Sequence, residues 1–352
     1  MRYIAIVVTL TLLFIPLSHA YSDNNEIAYN WSFYGQNFEV VININGSENS
    51  SLYHSFNFWV LNLTVPYDAY QFYRDYPAGY RIGDNLSYLS YFLTPNDTYI
   101  RELAHMLDTI AKKNGWDRLT EANFILTFVQ NVPYVSDFTS TGFVDYYKFP
   151  LETLFQKGGD CEDKSLLLAT LLYILGYDVV LFAMEVQFQG LYGHVAVGLD
   201  VKNKTGPFAR YLQYYYAYDG KDYYYMESTG SQSMVISGGG IENVHYWVGI
   251  SPEAAGAKIY NLTVIPLNGP HYEGYHQKYD YVKEVKAQES FNWYLLYALG
   301  LLVLFLPLFV YAISKEKKRC PSCGYSVEDD FNYCPNCGYW LKPPWPPKPP
   351  FS

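Results

Sequence analysis

Gly158-Gly159-Asp160-Cys161-Glu162-Asp163-Lys164-Ser165, followed by Leu166-Leu167-Leu168-Ala169-Thr170-Leu171-Leu172, is the stretch on which the reading of the fold turns. Two glycines and an aspartate describe a loop, and the apolar run describes a buried helix with Cys161 in its first turn. A helix N-terminus carries about half a positive charge and unpaired N–H groups, so it is expected to stabilise a thiolate and lower the cysteine pKa. The same N–H groups suit the oxyanion of a tetrahedral intermediate. Taken alone, a single cysteine entering a buried helix is more often an inert core residue, so its surroundings decide.

Downstream, Gly176-Tyr177-Asp178 ends the helix and Val179-Val180-Leu181-Phe182-Ala183 reads as a strand. Gly193-His194-Val195-Ala196-Val197-Gly198-Leu199-Asp200 alternates as a second strand, with His194 at its start. A hairpin of Tyr214 to Tyr218 and Tyr223 to Met226, around Asp219-Gly220-Lys221-Asp222, runs into Glu227-Ser228-Thr229. Upstream, Thr94-Pro95-Asn96-Asp97 is a helix start signal ahead of Ile100, Leu103, Ala104, Leu107 and Ile110 at helical spacing. A further helix is expected from near Thr120 to Val132-Pro133, and alternations from Trp31 to about Leu63 predict a β-rich leading region. The chain has 39 tyrosines, and runs such as Tyr214-Tyr215-Tyr216 read as strands, with a sugar-binding aromatic surface as the other reading. The fold class is α+β, with helices packed on an antiparallel sheet.

The order Gly-Asp-Cys-Glu-Asp, a leucine-rich helix ending in Gly-Tyr, Gly-His-Val-Ala-Val on a strand, then an acidic residue and Ser-Thr resembles the transglutaminase-like superfamily in its archaeal and bacterial membrane-bound branch. Asn131-Val132-Pro133-Tyr134 and Phe149-Pro150-Leu151-Glu152-Thr153-Leu154 fit the same pattern, so the likeness covers about residues 95 to 232. It implies a papain-like core and a triad: Cys161 as nucleophile, His194 as base and acid, and Glu227 orienting the imidazole. Most relatives carry aspartate at the third position, and glutamate makes the same hydrogen bond with one more methylene. Asp219 is the rival, although its Asp-Gly turn accounts for it structurally. The implied chemistry needs no cofactor: the thiolate attacks a carboxamide or peptide carbonyl, and water or an amine resolves the thioester. Hydrolysis is placed ahead of amine transfer because water is the default acceptor at an exposed surface. The superfamily also holds inactive members, so a silent envelope-organising binding module is the alternative. His245, His271 and His276 are expected at the surface, and Tyr134 is expected in the core rather than at the oxyanion site.

The remaining sequence sets topology. Residues 1–20 read as a signal peptide with Ser18-His19-Ala20 at its cleavage site, or otherwise as an uncleaved anchor. Trp293 to Ile313 carries no charge and is long enough to span a bilayer, and Lys315-Glu316-Lys317-Lys318-Arg319 marks its cytoplasmic side. Sequons begin at Asn30, Asn45, Asn49, Asn62, Asn85, Asn96, Asn203 and Asn261, all before that span, as a glycosylated ectodomain would have them. The expected organisation is therefore a β-rich region at 21–94, a transglutaminase-like domain at 95–268, a juxtamembrane linker at 269–292, the span at 293–313, a cytoplasmic zinc ribbon at 314–342 and a proline-rich tail at 343–352.

In the ribbon, Cys320-Pro-Ser-Cys323-Gly and Cys334-Pro-Asn-Cys337-Gly repeat one knuckle, four thiolates suited to structural Zn2+. The tail is suited to a cytosolic protein partner through polyproline II geometry. A net charge of −10 provides no field for phosphate backbones, which argues against nucleic acid. The expected partners are thus the membrane and an extracellular protein or peptide substrate.

Overall fold

The computed structural model describes residues 26–44, 50–83, 86–188, 190–230, 233–236, 240–243, 246–276, 288–289 and 318–342. The expected signal peptide, membrane span and proline-rich tail lie outside them. Among the described residues no helix is long and apolar enough to cross a membrane. The chain divides into two compact units, 1–289 and 290–352.

The first unit opens with β1 (Glu26–Phe33), β2 (Gln36–Ile44), β3 (Ser51–Ser55) and β4 (Phe58–Val65). These strands form a sheet in the order β1-β2-β4-β3, extended by Gln288–Glu289 at the β3 edge. β2 and β4 run parallel, and the β1–β2 and β3–β4 pairs are antiparallel. Period-two burial turns Ile27, Tyr29, Trp31 and Phe33 of β1 inward. The strand content ends at Val65, and the chain then becomes helical: α1 (Tyr67–Arg74) and the 3₁₀ turns Ala78–Tyr80 and Leu86–Phe92 fill the stretch to Thr94.

The helices α2 (Thr98–Lys113), α3 (Arg118–Gln130), α4 (Asp137–Thr141), α5 (Pro150–Phe155) and α6 (Cys161–Ile174) follow. Asp97 caps α2 through Oδ1, which accepts the Tyr99 and Ile100 N–H groups at 2.8 Å each. Asp117 caps α3 by accepting the Thr120 N–H at 2.8 Å, so this helix begins two residues before the expected Thr120. Every residue of α6 from Glu162 to Leu172 is buried, as a helix apolar on all sides requires. Its charged members are satisfied by partners: Glu162 accepts the Cys161 thiol at 3.1 Å, Asp163 lies 2.6 Å from Lys148 Nζ, and Lys164 donates to Val132 O at 2.7 Å; nearby, Lys148 also lies 3.2 Å from Asp137 and Arg81 pairs with Glu152 at 2.6 Å.

A second sheet completes the unit. β5 (Val179–Gln187), β6 (Leu191–Asp200), β7 (Tyr215–Tyr218), β8 (Lys221–Met226) and β11 (Lys258–Pro266) are ordered β11-β5-β6-β8-β7, antiparallel throughout, while β9 (Ser233–Ile236) and β10 (Gly240–Asn243) pair separately. The tyrosine runs fall on β7 and β8, and Tyr223, Tyr224 and Tyr225 are buried there. A single apolar core joins β1 to β4, the helices and one face of this sheet, so the two segments distinguished in the sequence at residue 95 share their interior.

The second unit is described from residue 318 to 342. Two turns repeat each other: Gly324 N–H donates to Cys320 O at 2.8 Å, and Gly338 N–H to Cys334 O at 2.9 Å. Both glycines are left-handed, with φ of 73° and 70°, a conformation a Cβ would disfavour.

Candidate active site

The loop that delivers Cys161 is held by close backbone approach. A Cβ on Gly158 would lie 2.6 Å from Val135 Cγ2, and one on Gly159 would lie 2.5 Å from Asp163 Cβ. The Val135 N–H donates to Gly159 O at 3.0 Å, so the loop lies against the segment carrying Tyr134. Cys161 is then the first residue of α6. Its thiol donates to Glu162 Oε2 at 3.1 Å, and the Val195 backbone N–H points at the sulfur from β6.

His194 stands one residue before Val195. Its Nε2 lies 2.9 Å from Glu227 Oε2, just beyond the end of β8. The Glu227 carboxylate also accepts the Tyr225 hydroxyl at 3.0 Å, the Thr229 N–H at 3.0 Å and the Thr229 hydroxyl at 2.5 Å. Burial opposes its ionisation, but His194 and the Thr229 donors outweigh burial and bring its pKa down to about 2. For His194, burial likewise favours the neutral ring, yet the Glu227 charge prevails and the pKa rises above its ordinary value. Asp219 sits exposed in the β7–β8 turn at φ 47° and takes no part in this contact.

Cys161, His194 and Glu227 line one hollow of about 420 Å³. A second hollow of about 790 Å³ shares Tyr134, Cys161, Tyr192, Gly193 and His194 with it, so the thiol and imidazole stand on the ridge between two lobes of a cleft. Tyr134 belongs to this cleft wall and is 57% exposed, which corrects the expectation that it packs in the core; the pairing of its backbone with Gly159 turns the ring outward. His276 is exposed as expected, His271 is half-buried with Nδ1 2.9 Å from Ser90 O, and His245 lies outside the described residues.

The electrostatics of the thiol differ from the expectation. Burial pushes the Cys161 pKa up, and the neighbouring Glu162 and Asp160 carboxylates push the same way, with the Val195 N–H opposing. The helix N-terminus was expected to lower it, but burial of the sulfur is the larger effect and the acidic groups on either side of the cysteine add to it. Asp160 itself is raised to about 11 by burial and by Asp163 and Glu162.

Several supporting residues were not singled out from sequence. The Ser165 hydroxyl bonds Val195 O and Ser228 Oγ at 2.9 Å each, tying the helix of Cys161 to the strand of His194 and the segment of Glu227. Lys164 donates to Val132 O at 2.7 Å and Gln130 O at 3.3 Å, and burial lowers its pKa to about 7. Gln130 Nε2 donates to the carbonyls of Glu227 at 2.9 Å and Tyr246 at 2.8 Å. The available signal was a lysine and a serine inside an otherwise leucine-rich run.

In the second unit Cys320, Cys323, Cys334 and Cys337 bring their sulfurs within 4.8 Å of one another. Cys320–Cys337 is 3.7 Å and Cys323–Cys334 is 3.6 Å, too far for disulfides. A tetrahedron with Zn–S near 2.3 Å has edges of about 3.8 Å, so the donor set and its spacing fit zinc.

Residues 319–339 match a family model described as a zinc-ribbon domain. No curated protein matches the chain. Among solved structures, a protein described as "a Putative Cysteine Protease from Cytophaga hutchinsonii" is 14% identical, with a TM-score of 0.27 over 55% of this chain and 61% of that one. The chain therefore spans less than two thirds of that protein. Residues 319–339 are thus similar to a zinc-ribbon domain, and the spacing of their four sulfurs agrees with that likeness.

Proposed function

We propose that the first unit is a thiol acyl-transfer enzyme with a Cys161–His194–Glu227 triad, acting on peptide or carboxamide groups. The observation that carries this reading is the 2.9 Å contact between His194 Nε2 and Glu227 Oε2 in the cleft that Cys161 also lines. With Nε2 engaged, Nδ1 is the nitrogen that takes the thiol proton. The sulfur then attacks the carbonyl carbon, and the negative oxygen is met by backbone N–H groups at the start of α6. His194 returns the proton to the departing amine, leaving a thioester. Water, deprotonated by the same ring, attacks the thioester and releases the acid, so hydrolysis is the favoured outcome and an amine acceptor the other. The unit faces outward, anchored by residues 293–313 with the ribbon on the cytoplasmic side. This orientation rests on the lysines and arginine after the apolar segment and on the sequons before it.

A second reading, a silent binding module, is favoured by the raised thiol pKa of Cys161. Labelling with an alkylating thiol probe separates the two. The enzyme reading expects Cys161 to label, His194→Ala to slow labelling at neutral pH, and added hydroxylamine to yield hydroxamate from peptide amides. Absence of labelling and of hydroxamate in the wild-type protein sinks it.

A further inference from the structure

The carboxylates on the larger lobe of the cleft are occupied by internal partners. Asp137 accepts Lys148 Nζ at 3.2 Å and the Tyr146 N–H, Glu162 accepts the Cys161 thiol, and Glu185 Oε2 accepts the Asn261 amide at 2.7 Å. Asp145 is engaged as well. The Oδ1 of Asp160 is closed off from the hollow, and burial with the neighbouring acids raises its carboxyl to about 11, so it is neutral at physiological pH. Among the described residues no lysine or arginine lines this lobe. What the walls offer an occupant is therefore largely apolar. Leu86, Tyr134, Phe138, Val144, Leu191 and Tyr192 all line the lobe and are all exposed, Phe138 by 72%, Val144 by 81% and Leu191 by 63%. They come from separate segments: a 3₁₀ turn, the stretch before α4, α4 itself, the loop after it and the start of β6. Exposed apolar side chains are ordinary when scattered singly, but six gathered into one hollow mark a binding surface.

We infer that the larger lobe is a subsite for a large apolar side chain, aromatic or branched aliphatic, of the peptide whose carbonyl Cys161 attacks. This rests on the reading of Cys161 as nucleophile. Cys161, Gly193 and His194 line both lobes, so a peptide with its carbonyl over the sulfur carries an adjoining residue into the larger one. Its volume of about 790 Å³ falls within the range of roughly 300–1,000 Å³ usual for ligand sites, which leaves room for an aromatic ring and its backbone. Covering Phe138, Val144 and Leu191 removes their apolar surface from water together with that of the incoming side chain, and the gain grows with the area covered. A basic side chain finds each carboxyl either partnered or neutral, so it gains little to offset the loss of its hydration. An acidic one fares worse, since it brings like charge towards Asp145 and Glu185 with no cation on the walls to receive it. The lining therefore ranks apolar side chains first and acidic ones last.

The test uses the full chain and matched peptide amides carrying phenylalanine, leucine, alanine, arginine or glutamate at each position flanking the susceptible bond. The expected result is a kcat/KM for phenylalanine or leucine about tenfold or more above alanine at one position, with glutamate lowest there; that is the scale of a few methylenes entering an apolar pocket. The ratio should shrink towards unity in Phe138→Ser and in Leu191→Ser, two substitutions at exposed positions where folding is little at stake. Equal turnover of the five peptides overturns the subsite while leaving the nucleophile in place, and so does arginine turned over faster than phenylalanine and leucine. An apolar preference that both serine variants retain in full also overturns it. Calorimetric binding of the same peptides to Cys161→Ala covers the opposite case. Apolar-selective binding there, weakened by adding Phe138→Ser, keeps the subsite and removes the nucleophile if the wild-type protein turns nothing over. No apolar selectivity in either turnover or binding overturns the subsite.

Discussion

The two units use the same side chain in opposite ways. Around Cys161 an extensive apolar core, drawn from both sheets and the helices between them, builds the place in which one thiol sits. In the ribbon the buried set is Cys320, Val327 and Cys334, with Leu341 against it, so little apolar surface is removed from water. In the first unit the fold holds the cysteine. In the second, four cysteines spaced as zinc ligands stand where an apolar core would be, and bound metal would hold the fold. One position is therefore expected to tolerate loss of its sulfur structurally, and the other four are not.

The strongest way to break this contrast is metal removal. Chelation should abolish hydrogen-exchange protection across residues 318–342 and leave the thermal transition of the first unit in place; a ribbon that stays protected without metal would refute the contrast. Next, Lys148→Met strands Asp137 and Asp163 in the interior of the first unit, and should cost about 3 to 5 kcal/mol in denaturant unfolding. A cost below about 1 kcal/mol would mean that these carboxylates are neutral in the native state.

Glu227→Gln sharpens the comparison through pH. Glu227 is depressed from 4.5 to about 2, so its contribution is present above pH 4.5 and is lost as pH falls through about 2. His194 is raised above 6.5, so its contribution is full below that value and is lost as pH climbs through its folded pKa. The stability gap between wild type and variant should therefore be widest between about pH 4.5 and 6.5, on the order of 3 kcal/mol, and should narrow on either side. A gap independent of pH would dissolve the ion pair. The smallest effect is expected from Ser165→Ala, about 1 kcal/mol of stability, with a fall in kcat at unchanged KM as the ties to Val195 and Ser228 are lost.

Local signals explain what could be read from the sequence. Asp97 and the spacing of Ile100, Leu103, Leu107 and Ile110 announce α2, and the paired glycines before Asp160-Cys161 announce α6, because caps, periodicity and turns act over a few residues. The likeness around Cys161, His194 and Glu227 led to three residues that share one hollow. What was hidden depends on distant pairing. Lys148 meets Asp137 and Asp163, and Ser165 meets Ser228, only once the chain has folded. The acidic neighbours of Cys161 were visible, but their weight against the helix N-terminus depends on burial that spacing does not report. Tyr134 looked like a core aromatic until its backbone paired with Gly159 and turned the ring into the cleft.

The Ser165 hydroxyl touches both the strand of His194 and the segment of Glu227 from the helix that begins at Cys161, and that helix lies within the main core. The three elements consequently lack an independent way to loosen. Heat inactivation should then coincide with global unfolding instead of preceding it, and a protein warmed to just below its transition should regain full thiol reactivity on cooling.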